Sequence, residues 1–220
     1  SNGFVTYTPD VDNTVENEKG VDHFFSSTEL PPYATAYLLT SVLSADYVDL
    51  TGNGLTDDDL GNYTQFNYSR VHSNYEWRNP YGADQANFSE GYKSNPRDNK
   101  GNYVYGQKEI WQIHSIVTKN YIAEVYYSNR KDAYGVSGKD GGIGSQTLKK
   151  LDRIELYTKT DRKENGGRAT ALKKVHFVYD YSLCKGIPSN KTGALTSNEL
   201  SNGGGKLTLK KVFFTYEDSQ

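Results

Sequence analysis

The sequence predicts an all-β protein of mainly antiparallel strands, arranged as a sandwich or meander, with long loops and little helix. Three observations support this prediction. The 220 residues include 19 Tyr, 21 Gly and no Met, a composition typical of strands and turns rather than of a helical core. Short runs of alternating apolar residues recur along the chain. A repeated motif precedes strand-like sequence in the last third.

The length is compatible with two domain organisations. In the first, residues 1–220 form a single β-rich domain. In the second, residues 1–105 form a loop-rich lobe and residues 106–220 carry a repeat-bearing sheet. In both, the N-terminal run Phe4-Val5-Thr6-Tyr7 predicts a peripheral edge strand.

The middle of the chain gives weaker periodicity. Residues 33–50 fit a helix or a strand, and their β-branched and aromatic content favours a strand. Residues 51–100 contain closely spaced glycines and prolines, which predict short strands connected by loops. Within them, alternation over residues 66–77 predicts one strand.

A β-hairpin is predicted between Trp111 and Tyr127. Two runs of strand-forming residues, WQIHSIVT and YIAEVYY, are separated by Lys119-Asn120. A two-residue interruption between such runs is typical of a tight hairpin turn. A glycine-rich loop follows at residues 135–144.

The last third contains three copies of the motif L-K-K-[LV], at residues 148–151, 172–175 and 209–212. A glycine pair precedes each copy, and glycine readily adopts the positive φ of a turn. The pairs are Gly141-Gly142, Gly166-Gly167 and Gly203-Gly204. We therefore expect each copy to begin a strand after a turn.

Alternation in the second and third copies places apolar side chains on one face of each strand. We expect them to form a buried row in a layered sheet, with lysines at its rim. The row consists of Val175, Phe177, Tyr179, Val212, Phe214 and Tyr216.

The segment from Asp49 to Asp59 predicts a calcium site. Oxygen-bearing side chains at alternate positions, a backbone carbonyl and a glycine after the third ligand suit the six to eight oxygen ligands of calcium. The predicted ligands are Asp49, Thr51, Asn53, Leu55 through its carbonyl, and Asp57. The segment resembles calcium loops of the pattern D-x-[DNST]-x-[DN]-G-x-x-D. The alternative is an Asx-rich turn that binds no ion.

An aromatic cluster lies in the turn-rich middle of the chain, at Tyr63, Phe66, Tyr68, Tyr75, Trp77 and Tyr81. Aromatic faces on loops bind sugars or protein partners. The predicted ligand contacts are Tyr75, Trp77 and Tyr81. The alternative is that these rings pack a core with few aliphatic residues.

Several functional classes are disfavoured. The charges, 25 Lys and Arg against 27 Asp and Glu, give no basic field for nucleic acid, and no apolar run is long enough to span a membrane. The single cysteine, Cys184, excludes a disulfide framework and a multi-thiolate zinc site. No catalytic motif is present, so we expect no enzymatic activity.

Three segments, at residues 172–186, 204–219 and 46–68, resemble parts of very large secreted or surface proteins of the Bacteroidota. Some of these proteins are similar to the shells of YD-repeat (Rhs-like) and toxin-complex proteins. Tyr179-Asp180 supplies a YD pair, although the Gly-Arg that follows it in a YD repeat is missing. The resemblance implies a non-catalytic, secreted or surface-exposed segment whose partners are other parts of the parent protein or surface proteins.

The predicted function is therefore a structural or interaction module of a larger secreted or cell-surface protein, braced by calcium at residues 49–57. The alternative is a carbohydrate-binding module or glycan-active domain that uses the aromatic residues between Tyr63 and Tyr81.

Overall fold

The computed structural model describes residues 3–92, 95, 98–185, 190 and 204–216. Within them lie ten strands, one α-helix and two 3-10 turns, at Glu90–Tyr92 and Gly166–Arg168. The strands are β1 (Phe4–Thr6), β2 (Ser41–Leu43), β3 (Tyr63–Asn79), β4 (Gln85–Phe88), β5 (Gly101–Asn102), β6 (Val104–Thr118), β7 (Tyr121–Val136), β8 (Ile143–Thr158), β9 (Lys173–Leu183) and β10 (Lys206–Tyr216), and the helix is α1 (Lys159–Asn165).

The strands form two antiparallel sheets, which confirms the all-β prediction. The large sheet has seven strands in the order β10-β9-β8-β7-β6-β3-β2, a meander interrupted between β3 and β6. The small sheet, β1-β4-β5, is formed largely by that interruption. A boundary at residue 105 would fall inside β6, which pairs with β3 from Thr64↔Thr118 to Asn79↔Val104. Among the described residues, no helix is long and apolar enough to cross a membrane.

The predicted hairpin is confirmed. Strands β6 and β7 are joined at Lys119-Asn120, and Ser115 pairs with Glu124 across them. The Thr118 hydroxyl accepts a hydrogen bond from the Tyr121 amide at 3.1 Å. A side chain of the turn therefore helps to set the register of the hairpin.

Two expectations for the first half of the chain need correction. Residues 33–50 contain one short strand, β2, and residues 25–40 adopt no regular secondary structure, since Pro31 and Pro32 remove two backbone donors. Residues 51–100 hold the short strand β4, as expected, but also one long strand, β3, which includes the strand predicted over residues 66–77. Bulges between Arg70 and Tyr75 accommodate residues that break the two-residue alternation, so β3 pairs with β6 over most of its length.

The repeat strands are β8, β9 and β10, which are neighbours in the large sheet. The first and third motif copies lie inside β8 and β10, and the second alone lies at a strand start, so the prediction that each copy begins a strand is wrong. Gly203, Glu217 and residues 187–202 except Asn190 lie outside the described residues.

The prediction of a buried row is also wrong, since none of its six members is buried. Its β9 members are half-buried, whereas Val212, Phe214 and Tyr216 on β10 are 43%, 51% and 57% exposed. The reason is that β10 ends the sheet and has a neighbouring strand on one side only.

Burial in the described residues instead favours tyrosine and charged groups. The buried hydrophobic side chains are Tyr63, Tyr75, Ala86, Val136, Tyr157, Ala171 and Tyr181. Buried charged side chains accompany them, at Asp59, Arg78, Asp98, Asp132 and Glu155. Because buried polar groups need hydrogen-bond partners, the surroundings of these charged residues must have a defined hydrogen-bond geometry.

Candidate functional site

The predicted calcium loop lies between Val48 and Leu60, which form an isolated antiparallel bridge shortly before β3. The Asp49 carboxylate accepts hydrogen bonds from the amides of Gly52 at 2.7 Å and Gly54 at 3.0 Å. Both glycines have positive φ, +69° and +89°, a conformation that other residues rarely adopt. Asp49 therefore shapes the backbone of the loop.

Asp59 is the most buried side chain of this loop, at 1% exposed. Its carboxylate accepts hydrogen bonds from the Thr56 amide and the Tyr47 hydroxyl, both at 2.8 Å. The Thr56 amide in particular lowers the pKa of Asp59. Asp59 could not be singled out from the sequence, because no local signal distinguishes it from Asp57 and Asp58.

Asp57 contacts the start of α1 and the start of β3 rather than the interior of the loop. Its carboxylate accepts hydrogen bonds from the Lys159 ammonium at 2.5 Å and the Tyr63 hydroxyl at 3.0 Å. The Lys159 ammonium is the main reason that the pKa of Asp57 is lowered. A calcium ion bound by Asp57 would have to replace this ammonium.

The remaining predicted ligands also have contacts within the loop. Asn53 accepts a hydrogen bond from the Thr56 hydroxyl at 3.2 Å, Thr51 contacts Asp58 at 3.5 Å, and Leu55 is half-buried. In the part of the chain that the structure describes, no group of three or more His, Cys, Asp or Glu residues is placed to hold a metal. The segment as folded is an Asx-rich loop organised by Asp49 and Asp59.

The predicted ligand-binding aromatics differ in exposure. Tyr75 is 5% exposed and its hydroxyl donates to the Ala133 carbonyl at 3.3 Å, so its ring packs inside the molecule. Tyr81 is half-buried, whereas Trp77 is 38% exposed. Trp77 lies against Gly106, where a Cβ atom would come within 2.8 Å of the indole nitrogen.

A polar network crosses the large sheet and was not predicted from the sequence. At its centre the Glu155 carboxylate accepts hydrogen bonds from Arg153 at 2.9 Å and Tyr157 at 2.5 Å, and Lys174 lies 3.3 Å away. Burial alone would raise the pKa of Glu155, but these three donors outweigh it and hold the pKa at about 2.

The network continues to Glu124 on β7. Two nitrogens of Arg162, on α1, donate to this carboxylate at 2.8 and 2.9 Å, and the Tyr126 hydroxyl donates at 2.7 Å. Burial and the bond to Glu124 raise the pKa of Tyr126 to about 12. The Arg153 guanidinium lies 3.9 Å from the centre of the Tyr126 ring.

We call these seven residues the polar network: Glu124, Tyr126, Arg153, Glu155, Tyr157, Arg162 and Lys174. A signal for it exists in the sequence, since Glu and Tyr alternate in β7 and Arg, Glu and Tyr alternate in β8. Alternate residues share one face of a strand. Neither strand alone reveals the network, because it is the pairing of β7 with β8 that places Glu124 beside Glu155.

Arg78 connects the two sheets. Its side chain, 5% exposed, donates to the Lys139 carbonyl at 2.7 Å and the Pro80 carbonyl at 2.5 Å. It also donates to the Tyr7 hydroxyl at 2.8 Å, and that hydroxyl donates to Asp140 at 2.9 Å. One guanidinium therefore fixes the end of β3, the glycine-rich loop and the residue after β1.

In contrast to these buried polar clusters, the terminal strand β10 presents exposed apolar side chains. We call Val212, Phe214 and Tyr216 the apolar edge face, because they occupy alternate positions of the terminal strand β10 and are substantially exposed. Lys173 lies over the Phe214 ring, 4.4 Å from its centre. Phe214 pairs across the strands with the half-buried Val175.

Comparison of the chain with family models, curated proteins and solved structures finds no match. Its function is therefore inferred from its own geometry.

Proposed function

We propose that the chain is a non-catalytic structural or interaction module of a larger secreted or cell-surface protein. The observation that supports the proposal is the apolar edge face. Three alternate side chains of one strand are 43% to 57% exposed, and the pattern of that strand is typical of a sheet face covered by a second layer.

The partner is another segment of the parent protein or a surface protein. Burying the exposed parts of a valine, a phenylalanine and a tyrosine is favourable, and aromatic side chains commonly anchor protein interfaces. Within the described residues, β10 has no strand on its outer side. Its backbone can therefore also accept a strand from a partner.

Cysteine labelling tests this proposal directly. The chain has a single cysteine, Cys184, which is exposed. In a Cys184→Ser background, Phe214→Cys should react quickly with a membrane-impermeant maleimide in the isolated chain. In the natural assembly on intact cells or in the medium, the same cysteine should react at least tenfold more slowly.

Lys163→Cys is the matched control, because Lys163 is exposed on α1 and belongs to neither the polar network nor the apolar edge face. It should react at the same rate in both settings. Equal protection factors for the two positions would contradict an interface at β10. Failure of Lys163→Cys to react with intact cells and medium would contradict the proposed location.

Calcium remains a second element of the proposal, at Asp49, Thr51, Asn53, Leu55 and Asp57. What supports it is the donor set, since carboxylate, amide, hydroxyl and carbonyl oxygens are the ligands that calcium prefers. The Lys159 contact of Asp57 opposes it. A calcium-dependent stability measurement, described below, distinguishes an ion site from a loop held by its own hydrogen bonds.

A further inference from the structure

An exposed segment leads into β2, at the edge of the large sheet opposite β10. We call residues 26–40 the arm. No turn and no residue of positive φ interrupts it, and every residue in it is exposed. Two hydrogen bonds attach its end to β3, from the Phe66 amide to the Thr40 carbonyl at 2.8 Å and from the Tyr68 hydroxyl to the Leu39 carbonyl at 3.0 Å. The rest of the arm therefore packs against little of the described chain.

The arm has the features of a strand that can join another sheet. In an extended chain Tyr33, Tyr37 and Leu39 share one side, and they are 69%, 92% and 56% exposed. Among the described residues, no backbone amide from Ser26 to Leu39 donates a hydrogen bond. Free amides beside an alternating apolar row are what strand addition to a sheet edge requires.

Strand β10 is the complementary edge. It has β9 on one side and, within the described part of the chain, no strand on the other. Val212, Phe214 and Tyr216 also alternate, so a strand placed along β10 would bring two apolar rows side by side. The arm and β10 lie at opposite ends of the strand order. They are separate surfaces of one copy and can join successive copies head to tail.

The edge that carries the arm is acidic. Residues 20–69 contain no Lys or Arg. They contain seven acidic residues, Asp22, Glu29, Asp46, Asp49, Asp57, Asp58 and Asp59. Asp22 and Asp57 pair with lysines of other segments, and Asp59 is buried. The other members of this set leave the edge with a negative charge.

The β10 edge is basic. The strand carries Lys206, Lys210 and Lys211 and no acidic residue. Lys210 and Lys211 are exposed, and Lys210 lies 3.5 Å from Asp180 on β9. Two β10 edges would repel each other, whereas the acidic edge of one copy attracts the basic edge of another. Charge therefore favours a head-to-tail contact over a symmetric one.

We propose that a second copy of the chain is the partner of β10, and that it contributes its arm as an added strand. A second copy supplies both the exposed strand and the opposite charge. This inference rests on the proposed function, since it identifies the partner at the β10 interface. Each copy in a pair keeps one free arm or one free β10, so association continues beyond a dimer.

Sedimentation velocity of the isolated chain tests this inference. The average mass should rise from that of a monomer to more than that of a dimer between about 1 µM and about 1 mM, a range suited to a small contact. Added salt should lower the average mass at a fixed concentration, because it screens the opposite charges. A monomer at every concentration would overturn the inference.

Two double variants locate the contact. Tyr33→Ser with Tyr37→Ser alters the arm, and Val212→Thr with Phe214→Thr alters β10. Each variant alone should associate at least about tenfold more weakly than the unmodified chain. An equimolar mixture should form a dimer and nothing larger, because one variant supplies an intact β10 and the other an intact arm. A dimer formed by the arm variant alone would indicate a symmetric contact and overturn the inference.

Val15→Ser is the matched control, because Val15 is 79% exposed and belongs to neither the arm nor β10. It should associate like the unmodified chain. The arm variant changes only exposed side chains, so it tests the contact even if the β10 variant fails to fold. If the isolated chain stays monomeric while Phe214→Cys is protected in the natural assembly, the inference fails and the proposed function stands. If the chain self-associates but Phe214→Cys is unprotected in the natural assembly, the proposed function fails instead.

Discussion

The polar network and the apolar edge face lie on adjoining strands of one sheet and invert the usual distribution of residues. Glu155 and Tyr157 are each 5% exposed, whereas Phe214 and Tyr216 are more than half exposed. Charged groups are buried because each has a partner of opposite charge or a hydrogen-bond donor. Apolar groups remain at the surface because the sheet ends beside them.

The polar network stabilises the isolated chain, whereas the apolar edge face is available to a partner. Removing one member of a buried charged pair is costly because the other charge stays buried without compensation. Removing a half-exposed ring costs little in the isolated chain. The two regions should therefore respond very differently to substitution, and the following experiments measure that difference.

The largest effect is expected for Glu155→Ala. It leaves Arg153, Lys174 and Tyr157 without their shared acceptor, so the free energy of unfolding should fall by roughly 3–5 kcal/mol, measured by urea denaturation. Glu109→Ala is the matched control: its ion pair with Arg70 is about half exposed, so its loss should lower the free energy of unfolding far less than the loss of Glu155. Equal losses for the two variants would show that the network is not the stabilising region.

Acid should weaken the same network. The pKa of Glu155 is lowered from an ordinary 4.5 to about 2, so its contribution is present above pH 4.5 and is lost as the pH falls towards 2. A shift of this size corresponds to about 3 kcal/mol. Urea denaturation between pH 7 and pH 2 should show this loss in the unmodified chain, beyond that of Glu155→Gln. Parallel curves for the two proteins would contradict the assignment.

Adding calcium tests whether residues 49–57 form an ion site, besides the polar network and the apolar edge face. An ion at a hundredfold excess over its Kd stabilises the folded state by roughly 2.7 kcal/mol. The thermal midpoint should therefore rise between EDTA and millimolar calcium, and should not rise in the Asp49→Ala, Asp57→Ala double variant. An unchanged midpoint in the unmodified chain would identify the loop as an Asx-rich turn held by Asp49 and Asp59.

The smallest effect is expected on the apolar edge face. Phe214→Thr should change the free energy of unfolding of the isolated chain by less than about 1 kcal/mol, measured by urea denaturation. The threonine keeps β propensity and removes the ring. A loss above about 2 kcal/mol would mean that the ring is a structural contact of the chain, and would remove the main support for an interface there.

The fold class and the central hairpin could be predicted from the sequence, because alternation and a two-residue turn at Lys119-Asn120 are local signals. The burial of the repeat strands could not. The pattern of Val212, Phe214 and Tyr216 shows that these side chains share a face, but not whether anything covers it. The strand predicted over residues 66–77 lies within β3, but alternation alone does not reveal the bulges between Arg70 and Tyr75 that interrupt its pairing with β6.

The candidate sites show the same limit. The spacing of Asp49 and Asp57 indicated a cation loop, yet Lys159, about a hundred residues away in sequence, is the partner of Asp57. Tyr75 and Trp77 are alternate residues of one strand, and the contact with Ala133 on β7 buries the first.

The order of the strands also bears on how the chain folds. From β7 to β10 each strand pairs with the one that precedes it, so this half of the sheet can form by successive closure of neighbouring hairpins. Such local pairings favour faster folding than distant ones. Strands β3 and β6 are separated in sequence by a segment that includes β4 and β5. Their pairing must therefore close a longer loop, at a greater cost in conformational entropy. We expect that step to limit the rate at which the complete sheet forms.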